Sequence, residues 1–178
     1  NSSSFGKALW EMREIGLIDR LPRLAIIQAE GANPLYRAYL TEFEEYHPVH
    51  AETIATAIKI GNPVNYPKAV RALEWTSGVV EQVTDQQTME AKALIDAQGI
   101  GCEPASGCTL AGIKKLVEGG IIAPNETVVG LLTGHVLKDP DVTIAYHEDT
   151  LTDIHPVHPN RIYTADASIE SIVAILER

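Results

Sequence analysis

Apolar positions Leu9, Met12, Ile15 and Ile18 recur at the spacing of one helical face, which predicts a first helix over residues 5–17 with Gly16 as its stop. Leu24-Ala25-Ile26-Ile27, bounded by Pro22 and by Glu30-Gly31, is a short, continuously apolar run of the kind that forms a buried strand. Asn33-Pro34 predicts a helix start, because proline is tolerated in the first turn, and this helix runs through Tyr39 into Phe43. Tyr66-Pro67 opens another helix, and residues 78–83 form a second strand. Thr84 then stands three residues before Gln87, a capping-box spacing ahead of a helix reaching about Gln98. Residues 99–104 read as a short extended piece, 105–117 as a helix, and Gly119-Gly120 as its end. Residues 127–132 are predicted as a third strand, running into the turn signal Thr133-Gly134-His135. In the looser tail, Arg161-Ile162-Tyr163 reads as a short strand and residues 168–176 as a final helix.

Helices alternating with short apolar strands predict an α/β domain whose largely parallel sheet is covered on both faces, a three-layer arrangement. The composition agrees: 178 residues, 45% apolar and 21% charged, suit a globular chain. The formal charge of −10 argues against a broad electrostatic grip on nucleic acid or an anionic membrane. No apolar run approaches the roughly 20 residues of a membrane helix. Cys102 and Cys108 are too few for a disulfide scaffold, and neither has the paired spacing of a zinc site. A reducing, cytoplasmic setting is therefore expected. The chain opens on Asn, with helical patterning close behind, and the expectation is a portion of a longer protein.

Ligands of open α/β sheets bind beyond the carboxyl ends of the strands. Asn1-Ser2-Ser3-Ser4 places small polar residues ahead of a helix, where free N–H groups and hydroxyls can hold a phosphate. Alone, such a run is more often a simple N-cap. Thr133, at the end of the third predicted strand, could offer a hydroxyl to a ligand, with Gly134 allowing close approach; in isolation a threonine bonding its own turn is the commoner case. Glu103, before Pro104, reads either as a buried carboxylate near a ligand or, more often, as a solvated acid at a helix start. His155 and His158 flank Pro156 and are not expected to share a helical face or to bind metal. The residues alone thus support an α/β domain with a candidate phosphate site.

Several blocks resemble threonine synthase, in that family's order, across about residues 1–145. They are the stretch from Leu21 to Tyr36, Glu52-Thr53-Ile54-Ala55-Thr56-Ala57-Ile58 with Gly61-Asn62-Pro63, and Cys102-Glu103-Pro104-Ala105-Ser106. The most specific is Leu131-Leu132-Thr133-Gly134-His135-Val136-Leu137-Lys138-Asp139-Pro140. The resemblance implies the fold of the type II pyridoxal-phosphate enzymes, pyridoxal 5'-phosphate as cofactor, and conversion of O-phospho-L-homoserine and water to L-threonine and phosphate. It implies that residues 1–145 are the C-terminal part of the large cofactor-binding domain and 146–178 a tail. It also makes Asn1, Ser2, Ser3 and Ser4 the end of the loop holding the cofactor phosphate, and Thr133 the partner of the pyridine nitrogen.

The departures matter as much. The family's lysine, which carries the cofactor as a Schiff base within a Ser-Phe-Lys-Asp-Arg-like motif, has no counterpart among the seven lysines here. No catalytic residue is therefore assigned. The resemblance implies an N-terminal half of the same enzyme as partner, homodimers as the family's tendency, and no turnover by this chain alone. Val136 stands where relatives often have glycine. Two alternatives stay open: another type II enzyme, such as a threonine dehydratase or a cysteine synthase, and a non-catalytic module that has kept the fold.

Overall fold

The computed structural model describes residues 1–177. Two parallel strands, β1 (Ala25–Ala29) and β2 (Val79–Val83), pair in the register Ala25↔Val79 to Ala29↔Val83. Alternation then decides what each face meets. Ile26 and Val80 point to one side, where they pack with Leu35 and Tyr36 of α2 (Pro34–Tyr39) and with Leu73 of α3 (Tyr66–Thr76). Ile27 and Val83 point to the other, against Cys108 and Ala111 of α5 (Pro104–Glu118) and Ala91 of α4 (Asp85–Asp96). Helix, sheet and helix thus form the three layers predicted.

Local signals set several boundaries. The Thr84 hydroxyl accepts from the Gln87 N–H at 3.1 Å while the Gln87 carboxamide oxygen accepts from the Thr84 N–H at 2.9 Å, which is the capping box. Gly16 ends α1 (Ser2–Glu14) in the left-handed region, φ 71°, with its N–H on the Arg13 carbonyl and the Leu17 N–H on that of Met12. Prolines at or next to the first position open α2, α3 and α5.

Helix α1 starts earlier than its pattern predicts, at Ser2 rather than Phe5, so the serines occupy its first turn instead of a loop. It lies on α3, with Gly6 against Ala72, where a Cβ would come within 2.2 Å of the alanine's own, and with Trp10 stacked on Trp75 at 5.3 Å. Both pairs advance in the same direction, so α1 and α3 run side by side in parallel.

Two predicted strands do not form among the described residues. Residues 127–132 trace back along α5, with Gly130 against Thr109 and Ile113 and the Leu131 carbonyl accepting from the Thr109 hydroxyl at 3.0 Å. They are exposed and have no ladder partner among the described residues, and a strand exists only through its neighbour's N–H and C=O groups. Residues 161–163 likewise lack a partner there; the Arg161 guanidinium lies over the Tyr163 ring at 4.7 Å. In the tail, α6 (Pro140–His147) buries Tyr146 with Met89, Ala93 and Ile154, and the predicted last helix is α7 (Ile169–Leu176).

Candidate functional site at the carboxyl edge of the sheet

Helix α3 leads directly into β2 and so runs against it, which puts the amino end of α3, and of its parallel neighbour α1, at the carboxyl edge of the sheet. Asn1 is the N-cap there, with no side-chain capping bond. The N–H groups of Ser4 and Phe5 return to the Asn1 carbonyl at 2.9 and 3.0 Å. The N–H groups of Ser2 and Ser3 precede the first helical acceptor, and they face the rim with the positive end of the helix dipole behind them.

Helix α5 also runs against the strands. Lys115 near its end reaches Glu81 Oε1 at 3.0 Å, and Gly112 rests on Ile27. Cys108 packs with Val83, the last residue of β2, so the first turn of α5 overhangs the carboxyl edge. Onto this overhang the Thr133–Val136 turn is sewn. The Glu103 N–H donates to the Gly134 carbonyl (3.0 Å), the Gly134 N–H to the Ser106 hydroxyl (3.2 Å), and the Val136 N–H to the Gly101 carbonyl (3.2 Å). His135 bridges Cys102. Thr133 is exposed, one residue before this seam.

The sequence-predicted residues therefore occupy the same edge of the sheet from two sides: Asn1 to Ser4 on the α3 side, Thr133 on the α5 side. No hydrogen bond joins the two groups among the described residues.

Glu103 turns out to be buried, at 2% exposure, rather than solvated. Lys138 brings its ammonium to 2.8 Å from Oε2, off the hydrogen-bonding direction, so that Oε2 is left without a hydrogen bond. Pro104 in the sequence marks Glu103 as the N-cap; its burial comes from a turn distant along the chain. Asp85 has a comparable holding role. It accepts from the Thr53 hydroxyl and, at 3.0 Å, from the Ile54 N–H, so it fixes the 53–58 loop at the same edge. Thr56 in turn donates to Asp139 at 2.9 Å, which ties that loop to the segment after Thr133. Neither Asp85 nor Lys138 was marked by a local signal beyond helix-start and block resemblance.

Both cysteines are free and buried, and burial pushes each thiol up to about 11, which keeps them protonated near neutral pH. They pack as small apolar groups; Cys108 Sγ lies 3.2 Å from the Thr88 hydroxyl.

The family described as "Pyridoxal-phosphate dependent enzyme" matches residues 3–134, three quarters of the chain. The chain belongs to that family. The match begins at Ser3 and ends just past Thr133, so it takes in Ser3, Ser4, Glu103 and Thr133 of the edge described above. The family's cofactor carries an anionic phosphate and a ring nitrogen, and the residues present fit it: free first-turn N–H groups suit the anion, and the exposed Thr133 hydroxyl, which makes no hydrogen bond among the described residues, suits a ring nitrogen.

A threonine synthase of Methanocaldococcus jannaschii is 46% identical over 85% of this chain and 38% of its own length. "Threonine synthase 2, chloroplastic" of Arabidopsis thaliana is 36% identical over 99% of this chain and 35% of its own. The chain therefore spans less than two fifths of the relatives it matches. A crystal structure of the T.th. threonine deaminase overlays with TM-score 0.49 at 15% identity, over 70% of this chain and 47% of that one.

Proposed function

We propose that this chain is part of a threonine synthase, whose complete form converts O-phospho-L-homoserine and water to L-threonine and phosphate. The observation that carries the reading is the 46% identity to a threonine synthase over most of the chain. Beside it stands the continuous block from Leu131 to Pro140, in which Thr133 is the residue that this reading assigns to the ring nitrogen.

In this reading the N–H groups and hydroxyls of Ser2, Ser3 and Ser4, with Asn1, hold the cofactor phosphate at the start of α1. Thr133 holds the ring nitrogen. Pyridoxal phosphate, when bound, supplies an electron sink for carbanion character on the substrate. A threonine hydroxyl can donate or accept and, unlike an aspartate, does not force a proton onto that nitrogen. Gly134, the residue after Thr133, is hydrogen-bonded to Glu103 and Ser106 at the start of α5, so the hydroxyl is presented next to an anchored turn. The lysine that carries the cofactor would come from the rest of the enzyme, together with the grip on the substrate phosphate, so this chain alone has no turnover. A reducing, cytoplasmic setting and homodimers belong to the same reading.

The test is to assay the full-length protein with O-phospho-L-homoserine, following release of both phosphate and threonine, and separately with threonine, following deamination. Threonine formation is expected. Deamination without threonine formation overturns the reading in favour of a threonine dehydratase, and binding of pyridoxal phosphate with neither activity favours a module without catalysis.

A further inference from the structure

The least explained charge at the edge is Glu103. A carboxylate withdrawn from water costs several kcal/mol unless paired and hydrogen-bonded, and here the compensation is incomplete. The side chain is 3% exposed, its one cation among the described residues is Lys138 at 2.8 Å from Oε2, and Oε2 makes no hydrogen bond. Such a group stabilises the fold less than an apolar residue of the same size would, so its presence calls for another account.

The surroundings give one. The turn laid over Glu103 is the turn that carries Thr133. A Cβ added to Gly134 would lie 1.8 Å from Glu103 Oε1 and 2.0 Å from its carboxyl carbon, and all three of its nearest contacts belong to Glu103. Gly134 thus leaves the room that the carboxylate beneath it occupies, and a side chain there would push the Glu103 carboxyl aside. The same carboxylate reaches over the turn to Lys138, five residues past Thr133, while the Glu103 N–H takes the Gly134 carbonyl. Backbone bond, close contact and ion pair close around one short segment. Further back, the Asp96 carboxylate accepts from the Cys102 N–H at 3.1 Å, so the residue before Glu103 is itself fixed to α4.

We propose that Glu103 is the positioning residue for Thr133: its buried carboxylate, clamped by Lys138, holds the turn at the height and angle at which the threonine hydroxyl meets the ring nitrogen of pyridoxal phosphate. The proposal rests on the cofactor placement given above and extends it to a residue that touches the cofactor only through Thr133. It attributes the exposed Lys138 to the same clamp.

The experiment uses the full-length enzyme freed of cofactor, titrated with pyridoxal phosphate and followed by fluorescence of Trp10 and Trp75. Glu103→Gln keeps the shape and removes the charge; about tenfold weaker binding is expected, with the melting temperature of the cofactor-free protein unchanged. Thr133→Ala weakens binding too, and the double variant is expected to be no worse than Thr133→Ala. Full additivity of the two effects, or wild-type affinity in Glu103→Gln, overturns the proposal. Should Glu103→Gln fail to fold, the surface residue Lys138 serves instead. Lys138→Met is expected to weaken binding severalfold and Lys138→Arg to restore it, and equal affinity of all three forms overturns the clamp. Because the readout is cofactor affinity, it is separate from the identity of the substrate: an enzyme that proved to deaminate threonine would sink the functional reading and leave this measurement intact.

Discussion

The ammonium of Lys92 is buried against the carboxylate of Asp96, one turn further along α4. Asp96 spends its second oxygen on the Cys102 N–H, and Cys102 precedes the N-cap of α5. A buried ion pair thereby sets where α5 begins, and with it the turn of Thr133. The two helices pack closely enough for this, since Gly107 of α5 sits over the Thr88 carbonyl and the Lys92 backbone of α4.

Removing one member of that pair should therefore cost more than removing both. Asp96→Ala leaves a lysine of 1% exposure without its counter-charge, and a loss of about 3 kcal/mol is expected. The double change Lys92→Met with Asp96→Ala should recover part of it. Chemical denaturation of the full-length protein checks this; a double variant less stable than Asp96→Ala would contradict it.

Gly6 decides how closely α1 lies on α3. In Gly6→Ala the new methyl would sit 2.2 Å from the Ala72 Cβ, so α1 must move away. The expected results are a weakened Trp10–Trp75 stack, visible in near-ultraviolet circular dichroism, and weaker binding of pyridoxal phosphate, since Asn1 to Ser4 move with the helix. An unchanged affinity would separate the opening serines from the cofactor site.

His147 gives the tail a pH dependence. Its burial, with Lys92 adding to the effect and Asp96 opposing it, holds the imidazole below its usual 6.5. The neutral ring accepts the Asn160 N–H on Nδ1 at 3.0 Å. Below pH 6.5 the unfolded segment binds more protons than the folded one, so stability falls with pH from there until the folded group itself titrates. Amide exchange across residues 146–160 should accelerate at pH 5.5 relative to pH 7, after correction for intrinsic rates, and His147→Gln should flatten the difference.

Sequence and structure divide according to the range of each interaction. Thr84 with Gln87, Gly16, and the prolines at 34, 67 and 104 set helix ends with atoms a few residues apart, and those ends were legible. The three-layer α/β class followed from the apolar runs. The candidate residues Asn1 to Ser4 and Thr133 were assigned roles by resemblance, not by spacing. What could not be read were outcomes that depend on distant partners. Residues 127–132 have strand composition, yet no neighbour among the described residues supplies a ladder.

The order of apolar and capping residues by itself determined the main helices from α1 to α5 and the two paired strands, because those energies are settled within one or two turns of chain. The strands expected at 127–132 and 161–163 did not form, and α6 was not foreseen. Only tertiary structure decided that Glu103 and Lys92 lose their water, because burial is imposed by elements folded over them from elsewhere: the turn at Gly134 in one case, α6 and α5 in the other.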